Sequence, residues 1–404
     1  MPPFSGPVAT LAERKARPFW AGHRWVFSGA LAQAPEGLPA GTVVELRDAQ
    51  GQVVDYGLWS PKSSLRIRLL GLGGAWPFDG VTLPDAFWKA RVAAAVALRR
   101  RLGLPGERTD TYRLVNADGD GLPGLSVDRY GDGALLFLSS AVLEPYLGAI
   151  VEALREEAGL AWVWHRSDAT FAEREGYAVV DQPLFGEPPE RCIVQEEGLR
   201  YHWSARSQQK TGHYADQREN RRWFGELARG AKVLDAYCFT GGFGLAAAAG
   251  GAASVLGVDS SEGAVAAAKE NAAENGVSDQ TEWVSDKVEN RLRRAFDKGD
   301  RFDLISLDPP KLAPDRNAAE AGEGKQTSLC VETFRVAAPD GLVLVSSCSA
   351  VLGEASILRS AGDAAVRLGR RVDVVGVRGH AGDHPYVVAM PESRYLTAVL
   401  FRVR

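Results

Sequence analysis

"VLDAYCFTGGFGLAAAA", residues 233 to 249, is the stretch whose reading decides the fold. Val233 to Ala236 form an apolar run interrupted by one acid. Tyr237 to Gly242 form a turn rich in glycine, and Gly-Leu-Ala-Ala-Ala-Ala continues as a strong helix former. A buried strand, a tight glycine turn and a helix make the opening unit of an open parallel sheet. Such sheets bind ligands outside the carboxyl ends of their strands.

The pattern repeats downstream. Strands are predicted at "AKVLDAYC", "ASVLGVDS", "TEWVSDKV", "FDLISLDPP", "GLVLVSSCS", "RVDVVGVRG" and "RYLTAVLFRV". Alanine-rich helical segments such as "SEGAVAAAKENAAENG" lie between several of them. Strands alternating with helices imply an α/β, Rossmann-like, doubly wound sheet. No helix separates the last strand from the sixth, so the seventh is expected to insert antiparallel.

Upstream the pattern differs. "GTVVELRDAQGQVVDYGLWS" reads as a hairpin around Asp48-Ala49-Gln50-Gly51, and "SSLRIRLL" as a further strand. Residues 1–72 are therefore a small β-rich domain, and "GLGGAWPFDG" reads as a linker. "LPDAFWKARVAAAVALRRRLGL" is a helix with Asp85 at the cap and Gly103 past the last turn. "YRLVNADGDGLPGLSVDRYGDGALLFLSS" reads as antiparallel strands, followed by an amphipathic helix and the strand "AWVWHRS". This gives a middle α+β domain at 73–188, ended by "GEPPE", and a third domain at 189–404.

Composition narrows the function. Of 404 residues, 45% are hydrophobic and 24% charged, as in ordinary globular chains. No apolar run is long enough to span a bilayer, and the start is no signal peptide, so a cytoplasmic protein is expected. Cys192, Cys238, Cys330 and Cys348 are scattered without a CxxC pair, which argues against structural zinc and a disulfide framework; no metal is expected. The net charge of -4 does not advertise nucleic acid, so any RNA binding must come from local patches.

Gly241, Gly242 and Gly244 would let backbone approach a ligand at the helix N-terminus. The loop is not a good GxGxxG, and Tyr237-Cys238-Phe239 suit a ligand less charged than a pyrophosphate. Asp259 ends the second strand, where an acid can accept both ribose hydroxyls. Asp286 ends the third, where a carboxylate can take an adenine amino group. Each alone is an ordinary loop acid, but together they favour S-adenosylmethionine over a nicotinamide. The fourth strand ends in Asp308-Pro309-Pro310-Lys311. In methyltransferases that modify exocyclic amines, an aromatic usually follows the two prolines. Lys311 stands in its place, which argues against amine methylation. The fifth strand ends in Ser346-Ser347-Cys348-Ser349. A lone cysteine is often an inert small hydrophobe. Beside "DPPK", Cys348 reads instead as a nucleophile, reachable and partly thiolate, that adds to carbon 6 of a pyrimidine. Asp308 would then hold the cytosine ring nitrogen and amine.

The chain resembles the bacterial large-subunit rRNA cytosine-5 methyltransferases that carry an N-terminal PUA domain, over almost its whole length. "GHRWVFSGAL" (22–31) is similar to the opening signature of the PUA module, and "DGDGLPGLSVDRYGD" (118–132) to that of the middle domain. "QKTGHYADQRENR" (209–221), "CFTGGFG", "LDPPK", "SSCS" and "HPYVVAMPESRYL" complete the set. The resemblance implies a class I S-adenosylmethionine-dependent fold, with Cys348 as nucleophile. It also implies a cofactor pocket formed by Gln209, Lys210, Thr211, Gly212 and Asp216 with the first four strand ends. Those ends hold Asp235, Tyr237, Phe239, Thr240, Gly241, Gly242, Asp259, Ser260, Asp286 and Asp308. Pro309, Pro310 and Lys311 would border the substrate, as would "APDRNAAEAGEGKQTSLCVETF" (313–334), taken as a Gly- and Ala-rich loop. The expected partner is 23S rRNA, with no membrane, and a homodimer is the assembly kept in view. RNA contacts are sought in "ERKAR" (13–17) and "LRRRLG" (98–103), with "RENRR" (218–222) and "RLRR" (291–294) as further basic runs. Two other readings stay open: a methyltransferase of another rRNA or tRNA nucleotide, and a non-catalytic RNA-binding factor that holds the cofactor.

Overall fold

The computed structural model describes residues 4–205 and 212–404. Its residues group into two compact units. One lies within Met1–Cys192, Trp203–His213 and Gly382–Ser393, the other within Ile193–His202, Tyr214–Ala381 and Arg394–Arg404. Among the described residues, no helix is long and apolar enough to cross a membrane.

The first unit holds two sheets. Six strands, Trp25–Phe27, Leu65–Leu69, Val53–Trp59, Val43–Arg47, Val8–Leu11 and Leu31–Gln33, lie side by side in that order. The predicted hairpin turn is present: the Asp48 carboxylate accepts the amides of Gln50 and Gln52, and Gly51 takes a φ of 85°. The stretch taken as a linker is pinned instead. Asp55 accepts the amides of Gly71, Leu72 and Gly73, and Trp76 is buried in one core with Tyr56, Trp88 and Leu136. Glycine and proline there serve a folded turn, and the indole supplies the apolar area that closes it.

The second sheet of this unit is antiparallel over 111–138, as expected, and becomes mixed with the strand that follows. Thr111–Asn116, Leu125–Tyr130 and Gly133–Leu138 pair antiparallel, but Trp162–Ser167 runs parallel to Gly133–Leu138. Helix Leu147–Ala158 makes the crossover that a parallel pair needs. Helix Asp85–Arg101 starts one residue earlier than predicted, with Pro84 as cap and no side-chain capping bond. Asp85 therefore stands in the first turn, where its charge suits the helix dipole.

The second unit carries seven strands: β1 (Lys232–Ala236), β2 (Ser254–Asp259), β3 (Thr281–Ser285), β4 (Phe302–Leu307), β5 (Ala337–Ser347), β6 (Val372–Arg378) and β7 (Thr397–Val403). Their order is β3-β2-β1-β4-β5-β7-β6, with β7 antiparallel to both neighbours, as expected. Helices α1 (Arg218–Glu226), α2 (Gly242–Ala249), α3 (Glu262–Glu274), α4 (Val288–Asp297), α5 (Ala319–Val336) and α6 (Glu354–Leu368) cover the two faces. The segment 313–334 is thus mostly helix α5 and not a loop. Gly322 explains the glycine: a Cβ there would crowd Ala313, Leu312 and Leu352.

Candidate functional site

In-register strands set the site's geometry. Ala236 pairs with Val258 and Leu307, and Leu307 with Val345, so four carboxyl ends lie side by side. Asp235, one residue before the end of β1, is fully buried. Its Oδ2 accepts the Gly244 amide at 2.7 Å, while its Oδ1 has no partner among the described residues. Burial pushes its carboxyl up to about 7, against the pull of that amide.

The turn after β1 is held in left-handed backbone. Tyr237 has a φ of 65° and Phe239 of 48°, values that aromatic residues rarely adopt and that cost about 1–3 kcal/mol each. The turn is over-determined by its bonds. Cys238 donates to the Val258 carbonyl, Phe239 to Asp259 Oδ2, and Gly241 to the Cys238 carbonyl. The Asn271 amide holds the Thr240 carbonyl at 3.0 Å. Cys238 is buried within this turn.

A packing demand also falls on these glycines. A Cβ at Gly241 or Gly244 would stand 2.8 Å from the Trp283 ring, and one at Gly242 would stand 2.7 Å from the Arg221 side chain. Their missing side chains make room for an indole and a guanidinium. The sequence could not show this, because Trp283 lies on β3, two strands away in sheet order from β1.

Asp259 is half-buried, and Ser260 beyond it is exposed. The Asp259 oxygens accept the Phe239 and Ser261 amides at 3.0 and 2.9 Å, one each, which leaves lone pairs free. Asp286 is half-buried and paired with Arg294, and Arg291 makes a looser contact with Glu282, which leaves Arg293 as the exposed cation of the run 291–294 outside these two contacts. An adenine amine would have to share Asp286 with Arg294. Asp308 ends β4 half-buried, and desolvation, followed by the charge of Asp216, raises its carboxyl to about 7. Pro309 is buried, whereas Pro310 and Lys311 are exposed.

Cys348 is half-buried past the end of β5. The loop around it is fixed by Ser349, whose Oγ donates to the Ala313 carbonyl at 2.7 Å. Burial, then the charges of Asp308 and Asp216, push the thiol up to about 11; Lys311 opposes them. This burial works against the partly thiolate cysteine that the sequence leads one to expect.

The predicted Asp216 lies in the turn Ala215–Gln217, and its charge is felt by Asp308, Cys348 and Tyr214. Gly212 is buried with a φ of 76° and groups with the first unit. Gln209, Lys210 and Thr211 lie outside the described residues. Tyr214, inside the segment 209–216 that the resemblance puts at the pocket, meets Phe239 edge-on at 5.2 Å, while sequence reasoning missed the use of Arg221. Arg221 was counted in a basic run for RNA, yet it is buried and forms two 2.6 Å bonds to Glu196. Likewise Arg99 of "LRRRLG" is buried against Asp120 at 2.6 and 2.8 Å. Arg14, Lys15 and Arg17 of "ERKAR" are exposed.

This residue set fits S-adenosylmethionine. Asp216, Asp235 and Asp308 crowd negative charge together, and the buried oxygens Asp216 Oδ1 and Asp235 Oδ1 lack donors. A ligand with net positive charge and N–H groups relieves both costs. The open lone pairs of Asp259 fit a diol. Among the described residues, no group of three His, Cys, Asp or Glu side chains is placed to hold a metal.

Residues 160–318 match the S-adenosylmethionine-dependent methyltransferase family, and residues 9–71 the PUA-like domain family. Among curated proteins, the chain is 34% identical to Ribosomal RNA large subunit methyltransferase I of Aeromonas hydrophila, over 95% of this chain and 96% of that one. It is 31% identical to the protein of the same name from Erwinia tasmaniensis, over 97% and 98%. Among solved structures, the methyltransferase SMU.776 complexed with SAH superposes with a TM-score of 0.85 at 20% identity, covering 98% of this chain and 100% of that one. A methyltransferase from Streptococcus mutans gives 0.83 at 19%, with the same coverage. These two likenesses speak for the fold.

Proposed function

The chain belongs to the ribosomal RNA large subunit methyltransferase I family, and we propose that it methylates carbon 5 of a cytosine in 23S rRNA through a cysteine adduct at carbon 6. Its relatives' name supports rRNA as substrate. The finer reading rests on one observation: Cys348 stands at the strand end beside Asp308 and shares its electrostatic environment with Asp308 and Asp216.

S-adenosylmethionine supplies an electrophilic methyl group when bound. Cys348 Sγ forms a bond to carbon 6 of the base, which makes carbon 5 nucleophilic. The thiol must lose its proton in this step. Asp308, with a carboxyl near 7, is a neighbouring acceptor of suitable basicity. Once protonated, Asp308 can donate to the ring nitrogen, where negative charge builds up. After methyl transfer solvent water takes the carbon 5 proton, the C–H electron pair restores the C5–C6 double bond, and the Sγ–C6 pair leaves on sulfur, which regenerates the thiolate. Lys311, exposed where amine methyltransferases have an aromatic, favours carbon over the exocyclic amine as target. The base must be flipped out to reach Cys348.

We assign residues 1–72 to RNA holding, 73–188 to a middle domain and 189–404 to catalysis. Of the basic runs, "ERKAR" best suits phosphate, because its cations Arg14, Lys15 and Arg17 are exposed. The test is Cys348→Ala. It should bind cofactor normally and lose methylation of rRNA from a strain lacking the gene. The wild type should form a stable adduct with RNA containing 5-fluorocytosine at the target, since fluorine blocks the elimination. Methylation by Cys348→Ala, or an adduct formed by it, would refute the cysteine mechanism.

A further inference from the structure

The connection between β6 and β7 closes, at its two ends, on the turn that carries Asp216. The Ala381 amide donates to the Asp216 carbonyl at 2.9 Å. The Tyr395 hydroxyl donates to Asp216 Oδ2 at 2.8 Å. The Tyr395 ring is itself placed by His380, 5.6 Å away and tilted by 33°. From the other side Arg221 donates to the Tyr214 carbonyl at 2.9 Å. Asp216 thus has its backbone and one carboxylate oxygen committed. The second oxygen, Oδ1, is buried and accepts nothing among the described residues. An ionisable oxygen left buried without a donor is costly, and in a native structure it points to a missing partner.

The strand order says which part of the cofactor that partner is. Asp259 and Asp286, which suit ribose and adenine, lie on β2 and β3, on one side of β1. Asp216 is held by residues flanking β6 and β7, on the other side. A ligand lying across the strand ends with its nucleoside over β2 presents its amino-acid end towards Asp216. An acceptor-only buried oxygen is matched there by the α-ammonium group, a cation with three N–H donors.

We propose that Tyr395 is a positioning residue for the cofactor: its hydroxyl fixes the Asp216 carboxylate so that Oδ1 accepts from the α-ammonium of S-adenosylmethionine. This rests on the cofactor site described above. Tyr395 acts through Asp216 and takes no part in the chemistry.

The test is Tyr395→Phe in the full chain, which keeps the ring against His380 and removes one hydroxyl. Calorimetry is run with S-adenosylhomocysteine and with 5′-methylthioadenosine, which has the nucleoside but no amino-acid end. Affinity for S-adenosylhomocysteine should fall by about tenfold or more, the effect of a lost bond to a charged group. Affinity for 5′-methylthioadenosine should stay within about twofold, on the same scale. In an Asp216→Asn background, Tyr395→Phe should add little. Unchanged affinity for S-adenosylhomocysteine would overturn the proposal, and so would an equal loss for both ligands, which marks a merely structural role. If the wild type binds neither compound, the cofactor reading itself falls. That outcome is distinct from a wild type that binds both and a variant that matches it.

Discussion

At the scale of single residues, the site is governed by two acids that burial makes weaker than they are in water, Cys348 and Asp308. Cys348, pushed up to about 11, should react slowly with iodoacetamide at neutral pH. Its alkylation rate should climb with pH without levelling off below about 10, a profile that mass spectrometry of the tryptic peptide can read. A plateau near 7 would mean the thiolate is already formed. Asp308 has the matching consequence for stability. Its carboxyl titrates near 7 in the folded chain and near 4 when unfolded. The folded state therefore binds the extra proton between those values. Stability from this group is full below about pH 4, falls as pH rises towards 7 and is level above. Asp308→Asn should remove that slope, and at pH 8 it should stabilise the ligand-free protein by about 1–3 kcal/mol. Melting temperatures at pH 5 and pH 8 decide it. For Asp259, the loss of a carboxylate that accepts ribose hydroxyls predicts about 10- to 150-fold weaker cofactor binding in Asp259→Ala. Unchanged calorimetric affinity would remove it from the site.

At the scale of elements, the glycine turn is shaped by a side chain from another strand. Trp283 fills the space beside Gly241, Gly244 and Gly257, and a Cβ at Gly257 would overlap its ring. Gly257→Ala should therefore destabilise by about 2 kcal/mol or more, the cost of overpacking a filled core. Gly263→Ala on α3, where nothing lies near the added methyl, should change stability by less than about 1 kcal/mol. Thermal unfolding of the two variants side by side tests this, and equal effects would refute it. The element pattern itself was legible. Each of the seven strands lies where apolar runs and turn residues put it, because a buried parallel strand must be a short apolar run. The helix at Ala319–Val336 was hidden because its glycines and polar residues mimic a loop. They are tolerated because Gly322 packs closely against Ala313 and Leu352.

At the scale of the whole molecule, the segment Gly382–Ser393 belongs with the first unit although it connects two strands of the second. Asp383 is fully buried; it accepts the Arg113 amide at 2.8 Å, and its carbonyl accepts from Arg99 at 2.6 Å. The Pro385 carbonyl accepts from Asn116, and Glu392 meets His23 at 2.7 Å. The last contact joins two of the motifs that carry the family resemblance, 22–31 and 384–396, and Trp25 donates to Asp118 in a third, 118–132. A chain starting near residue 190 loses Arg99, Arg113 and Asn116. Its residues 382–393 should lose hydrogen-exchange protection, and retained protection would count against this account. For RNA, reversing Arg14, Lys15 and Arg17 to Glu should weaken binding while leaving cofactor affinity unchanged. It should also flatten the log–log salt slope by about 0.7–0.9 per lost phosphate contact. An unaltered slope would place the RNA elsewhere.

The sequence by itself determined the sheet, the glycine turn and the strand-end positions of Asp235, Asp259, Asp308 and Cys348, because periodicity and turn chemistry are local properties of the chain. Tertiary structure alone decided how those residues are used. Whether Arg99 and Arg221 face solvent or an acid depends on Asp120 and Glu196, remote or unpatterned partners that no periodicity announces. The same holds for the proton on Cys348. A thiol's state follows from burial and from the charges of Asp216 and Asp308, which come together only when the strands are aligned.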